Sequence, residues 1–121
     1  MFRTKRVYDP PAEEDGFRVL VDRLWPRGLS KERAEVHAWP KEIAPSTELR
    51  KWFQHEDPLW EEFRVRYLEE LKAAERVAAL EQLRREAQAR GTVTLLFGAR
   101  NEAHNHAVLL CEILNGTGGD R

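Results

Sequence analysis

The chain has 121 residues, 41% hydrophobic and 34% charged, a size and composition that build one core and exclude two full domains. Its 20 Lys and Arg stand against 21 Asp and Glu for a net charge of -1, so no global positive field gathers nucleic acid or anionic lipid, and any anion site has to be local. Within the basic set the split is 15 Arg to 5 Lys, and Arg is the side chain suited to bidentate carboxylate or phosphate contacts. The single Cys111 excludes an internal disulfide, and with no CxxC or His-x-x-His pairing no zinc set is expected. Met1 to Tyr8 lacks the apolar core of a signal peptide, and no stretch approaches the ~20 apolar residues of a membrane span, so the expected location is cytoplasmic.

Phe2 to Tyr8 reads as a first strand of undetermined direction, ended by Asp9-Pro10-Pro11, since prolines withhold ladder donors. Asp15-Gly16 punctuates the chain before Phe17 to Leu24, whose Val19-Leu20-Val21 is apolar on both faces, as in a strand buried within a parallel sheet. That strand stops at Trp25-Pro26-Arg27-Gly28. Leu29 to Ala44 is irregular, with a helical turn possible after Ser30 and an extended Val36 to Trp39. Ser46 caps a helix carrying Leu49, Trp52 and Phe53 on one face. Pro58 opens the next, with Leu59, Trp60, Phe63, Tyr67, Leu68 and Leu71 at the 3.6 period, and Val77, Leu80 and Leu83 continue the stripe towards Gly91. Residues 57–90 are expected to form two helices broken near Lys72 to Glu75.

Thr92 to Phe97 is a second uniformly apolar strand, Gly98 to Asn101 the turn leaving it, and Glu102 to Leu114 a last helix. Strand, helices, strand, helix is the order of a crossover with parallel strands. The fold class is therefore α/β: one domain over 1–115, of two or three layers around a small, mostly parallel sheet with crossover helices, and 116–121 a frayed C-terminal tail.

In open α/β sheets ligands collect at the carboxyl ends of the strands. Those ends bring together Asp22, Arg23, Trp25, Pro26, Arg27, Arg100, Asn101 and the head of the final helix with His104, Asn105 and His106. Arginine forks and a helix N-terminus make an anion-site inventory; the plainer reading is that Asp22 pairs with an Arg and Trp25 fills a gap. His104 and His106 are two apart, pointing about 200 degrees away from each other on a helix, so they do not chelate one metal. Trp25, Trp39, Trp52 and Trp60 could form a base-stacking wall, although the latter two fit a helix core.

Val19-Leu20-Val21-Asp22-Arg23-Leu24-Trp25-Pro26-Arg27-Gly28, with Arg6-Val7-Tyr8-Asp9-Pro10 and Asp15-Gly16 before it and Pro45-Ser46-Thr47-Glu48-Leu49-Arg50 and Asn105-His106-Ala107 after it, resembles the YeaO-like branch of domain-of-unknown-function family 488. The resemblance covers Lys5 to about Leu114 and implies no established activity. The wider family carries a Cys after its last strand and a Cys-His-Arg group heading its final helix. Here Phe97 or Gly98 and Asn105-His106-Ala107 occupy those places, so the resemblance implies a pocket without a cysteine nucleophile. Cys111, among Val108, Leu109, Leu110 and Ile113, fits a core residue. Asp22 and His106 are then the ordinary acid-base candidates, and a His beside an ionised Asp is expected to have a raised pKa.

The leading expectation is a small anionic ligand, phosphate- or carboxylate-bearing, held by Arg23, Arg27, Arg100, Asn101 and Asn105 with Trp25 and Pro26, no cofactor and no metal being required; turnover through Asp22 and His106 stays open. The alternative is a regulatory or nucleic-acid module using the Trp25 to Trp39 loop, which the balanced charge disfavours for duplex binding. A homodimer whose arginines pair across the interface is a third reading.

Overall fold

The computed structural model describes residues 1–116. Among these residues three strands, β1 (Phe2–Arg6), β2 (Phe17–Leu20) and β3 (Val93–Phe97), form one sheet in the order β1-β3-β2. Both pairings are parallel, with Phe2 and Phe17 each level with Val93, so the first strand runs with the other two. Hydrogen bonding continues a step beyond the named strands, through Val7 N–H to Phe97 O and Val21 N–H to Leu96 O.

Among the described residues there are five α-helices, in chain order α1 (Lys31–Ala34), α2 (Thr47–Phe53), α3 (Trp60–Glu70), α4 (Ala74–Arg90) and α5 (His106–Asn115). Ser30 Oγ accepts from Arg33 N–H and Ser46 Oγ from Leu49 N–H, satisfying amides that a helix start leaves without partners. The 57–90 stretch is two helices, with the break at residues 71–73. Pro58 lies in a 3-10 turn, Asp57–Leu59, that runs directly into α3. The last helix starts at His106, later than its sequence suggests, because Asn101 Oδ1 takes the amides of Ala103 and His104 into a separate turn and Asn105 is the cap. Gly116, read from the sequence as tail, is the left-handed C-cap of α5; the rest of that tail lies outside the described residues.

Successive strand side chains alternate between faces, and the two faces have different covers. Val19, Val21, Val93, Leu95 and Phe97 pack beneath α2 to α5 with Phe53, Phe63, Tyr67, Leu83 and Leu110. Val7, Leu20 and Leu96 on the other face lie under Trp25, Leu29, Val36 and Trp39. Val19, Leu20 and Val21 are all 0% exposed, which is why that run is apolar on both sides. Leu68 and Val77, counted in the helical stripe, instead face solvent, at 38% and 44% exposure; the stripe continues without them. The irregular segment 36–39 lies along the free edge of β2, where Leu20 N–H donates to Ala38 O and His37 N–H to Arg18 O. That contact shields an open strand edge.

A charged cluster sits on the second face. Asp15 is 0% and Arg18 2% exposed; Asp15 receives Arg18 Nη1 at 2.5 Å and Lys5 Nζ at 3.0 Å, while Arg18 also donates to the carbonyls of Ala34 and Glu35. Gly16 lets the chain turn into β2: its φ is +64°, and a Cβ there would lie 2.4 Å from Thr92 O. Among the described residues no helix is long and apolar enough to cross a membrane.

Candidate functional site

β2 and β3 run in parallel, so the residues leaving their carboxyl ends meet. Asp22 Oδ2 accepts the Gly98 amide at 2.9 Å. A Cβ on Gly98 would sit 3.2 Å from that oxygen, a tight contact that the Asp22 carboxylate would have to relieve by shifting a few tenths of an ångström. Across this junction His106, the first residue of α5, places Nε2 2.9 Å from Val21 O and 3.4 Å from Asp22 Oδ1. Since a carbonyl only accepts, Nε2 carries the proton and donates it to Val21. Arg6 closes the outside of the turn through Ala99 O at 2.9 Å and Gly98 O at 3.3 Å.

Above Asp22 and His106 opens a cavity of about 270 Å³. Its polar groups are Asp22, Arg23, Arg50, His55 and His106, and its walls include Leu24, Pro45, Phe53, Phe63 and Ala99. The Phe53 and Phe63 rings stack at 4.3 Å. Arg23 directs Nε to Pro45 O at 3.3 Å and Nη2 to Ala44 O at 3.5 Å, which leaves Nη1 without a hydrogen bond among the described residues. Arg50 is exposed, and among the described residues its guanidinium makes no hydrogen bond or ion pair. His55 reaches the rim because Gln54 and His55 both take left-handed backbone, with φ of 48° and 58°. Two consecutive non-glycine residues in that region carry a cost on the order of 1 kcal/mol each.

The structure thus brings together three of the sequence candidates, Asp22, Arg23 and His106, and separates the others. Arg100 and Arg27 are exposed and line no part of this cavity. Asn101 Oδ1 holds the turn leading into α5 while its Nδ2 donates to Asp57 Oδ1 at 3.2 Å, and Asn105 caps α5 with its Oδ1 while its Nδ2 holds Asn101 O. Trp25 lies on the opposite face of the sheet and Pro26 lines no part of this cavity; Trp25 Nε1 donates to Leu29 O, Trp39 Nε1 to Asp22 O, and the two rings meet edge to face at 5.4 Å. These rings cover Leu20 and Leu96. Arg50 and His55 were not anticipated. Arg50 occupies a solvent position of an amphipathic helix, and His55 depends on a backbone conformation that no local residue signals.

The expected rise in the His106 pKa is reversed. Burial lowers it below the ordinary imidazole range and outweighs the opposing pull of the Asp22 charge and the Val21 carbonyl, with His55 adding to the lowering. The unfolded chain therefore takes up this proton first on acidification, and stability falls as pH drops from about 6.5 towards the lower folded value. Urea titrations across that range should show the loss, and His106→Gln should flatten it, by up to about 1.4 kcal/mol per pH unit. An unchanged slope would exclude His106 as its source. Among the described residues no group of three or more His, Cys, Asp or Glu is placed to hold a metal ion. Cys111 lies away from the cavity, its Sγ on Phe2 O at 3.3 Å, and burial pushes its thiol pKa up.

Fold and cavity together define a small parallel α/β protein with a basic, partly apolar pocket at the carboxyl edge of its sheet. The family model described as "Inactive DUF488-N3 subclade" matches residues 1–118, and the chain belongs to this YeaO-like DUF488 family. It is 44% identical over 114 residues to the uncharacterized protein Rv3073c of Mycobacterium tuberculosis, covering 94% of this chain and 93% of that one. It is 45% identical over 114 residues to the uncharacterized protein YeaO of Escherichia coli, covering 91% of this chain and 93% of the relative. No solved structure matches.

Proposed function

We propose that the protein is a cytoplasmic, non-catalytic binder of a small anionic molecule, carboxylate- or phosphate-bearing, in the cavity above Asp22 and His106. The observation that carries this reading is the Arg50 guanidinium, which lines the cavity together with Arg23 and has no protein partner among the described residues. An unpaired Arg beside an apolar wall is a receptor for an anion, because its planar fork matches carboxylate and phosphate geometry. Binding without turnover is supported by the family's description as inactive. It is also supported by the His106 ring, whose one N–H is spent on Val21 O, and by the position of the only cysteine outside the pocket.

Titration of the full chain with benzoate and with inorganic phosphate, followed by amide chemical shifts, tests the proposal. Saturable shifts at Gly98, Ala99 and His106 that survive moderate sodium chloride are expected. If neither anion moves these amides, the reading is wrong.

A further inference from the structure

We propose that the occupant is an amphipathic acid carrying a hydrogen-bond donor beside its carboxylate, the chemistry of an amino or hydroxy acid with an apolar side chain. This deepens the anion-pocket reading and rests on it. The cavity is chemically divided. Arg23 and Arg50 supply the basic part, Asp22 is the one carboxylate in the lining among the described residues, and Leu24, Pro45 and Ala99 add apolar surface beside the largely buried Phe53 and Phe63.

The decisive group is Asp22. Its Oδ2 is held by the Gly98 amide at 2.9 Å. Among the described residues the one polar partner near its Oδ1 is His106 Nε2, at 3.4 Å, and that nitrogen already donates to Val21 O at 2.9 Å. The Asp22 side chain keeps 24% of its surface exposed, and a carboxylate oxygen has room for further donors. A simple anion drawn in by Arg23 and Arg50 would meet Asp22 with like charge. A ligand with an ammonium or hydroxyl group next to its carboxylate instead presents a donor to Oδ1, turning that repulsion into attraction.

Size and shape restrict the rest of the molecule. A cavity of about 270 Å³ falls just under the roughly 300–1,000 Å³ of drug-sized pockets, which suits a single amino-acid-sized compound. Phe53 and Phe63 are only 3% and 2% exposed and stack on each other at 4.3 Å, so the apolar surface open to an aromatic or branched group comes mainly from Leu24, 61% exposed, with Ala99 beside it.

The test is isothermal titration calorimetry of the full chain with phenylalanine, phenyllactate, phenylpropionate and phenethylamine. Phenylalanine and phenyllactate are expected to bind about ten-fold or more tighter than phenylpropionate, the gain of one charge-assisted hydrogen bond, and phenethylamine, without a carboxylate, weakest. Asp22→Asn should bring phenylalanine towards phenylpropionate while leaving the latter's affinity equal or higher. The ranking on the unaltered protein stands without that variant, should Asn at this position disturb the fold. Equal affinity for phenylpropionate and the two donor-bearing acids overturns the proposed donor contact and leaves the anion pocket intact. Benzoate binding with none of the four bound overturns the ligand class. Silence from all four together with benzoate and phosphate overturns both readings.

Discussion

Replacing Asp15 by Ala is expected to lower the unfolding free energy by about 3–5 kcal/mol, the range for removing one partner of a buried ion pair. Asp15 is fully buried and accepts from Arg18 Nη1, Lys5 Nζ and the Ala12 amide. Without it the Arg18 guanidinium, only 2% exposed, keeps its bonds to Ala34 O and Glu35 O but has lost the negative charge that compensated its burial. The midpoint of urea unfolding measures the effect, with Glu62→Ala as comparison. Glu62 pairs with Arg66 on a surface where both side chains are about half exposed, and such pairs contribute under about 1 kcal/mol. The double change Asp15→Leu with Arg18→Met should recover only part of the loss, because it removes the uncompensated buried charge but leaves the Ala12 amide and the Ala34 and Glu35 carbonyls without their side-chain partners. An Asp15→Ala loss no larger than that of Glu62→Ala would refute the argument.

The same residue sets an acid limit. Burial by itself would raise the Asp15 pKa, yet the Ala12 amide, Lys5 and Arg18 together hold it below the usual carboxylate range. A depressed folded pKa means that this contribution is present above the unfolded value of about 3.9 and is lost as pH falls through the folded one. Asp15→Ala should remove that part of the acid transition.

Arg50→Ala and Arg23→Ala should each weaken benzoate binding about ten- to a hundred-fold, corresponding to roughly 1.5–3 kcal/mol for a hydrogen bond to a charged group. Their effects on the fold should differ. The Arg50 guanidinium has no hydrogen bond or ion pair among the described residues, so its removal should leave the urea midpoint unchanged. Arg23 bridges to Ala44 O and Pro45 O at 3.5 and 3.3 Å, so its loss should also cost on the order of 1 kcal/mol of stability. Arg27→Ala and Arg100→Ala, outside the cavity, should change neither. Affinity unaltered by Arg50→Ala would remove Arg50 from the site, and a loss with Arg100→Ala would move the site towards α5.

The strand ends were legible for a reason rooted in chain geometry. Two apolar runs separated by helices fold parallel, and parallel strands put Asp22 and Gly98 on one edge whatever the intervening loops do. The same logic placed His106 beside Asp22. It placed Arg23, which lines the cavity, but not Arg27 and Arg100, which are exposed and outside it, because proximity along the chain says nothing about side-chain direction. It failed for the His106 pKa because the sign depends on burial, which a spacing argument does not measure.

Composition, periodicity and capping residues indicated by themselves an α/β fold, where its two apolar strands β2 and β3 lie and where α2 begins, and they favoured a break between α3 and α4. These features are local, set by side-chain size, hydrogen-bonding groups and the repeat of the backbone. Only the tertiary structure decided which face each tryptophan covers, that Asp15 and Arg18 are buried against each other, and that Arg50 and the left-handed His55 share a cavity with Asp22. Those outcomes depend on contacts between residues tens of positions apart, and on the balance of burial against charge at each contact.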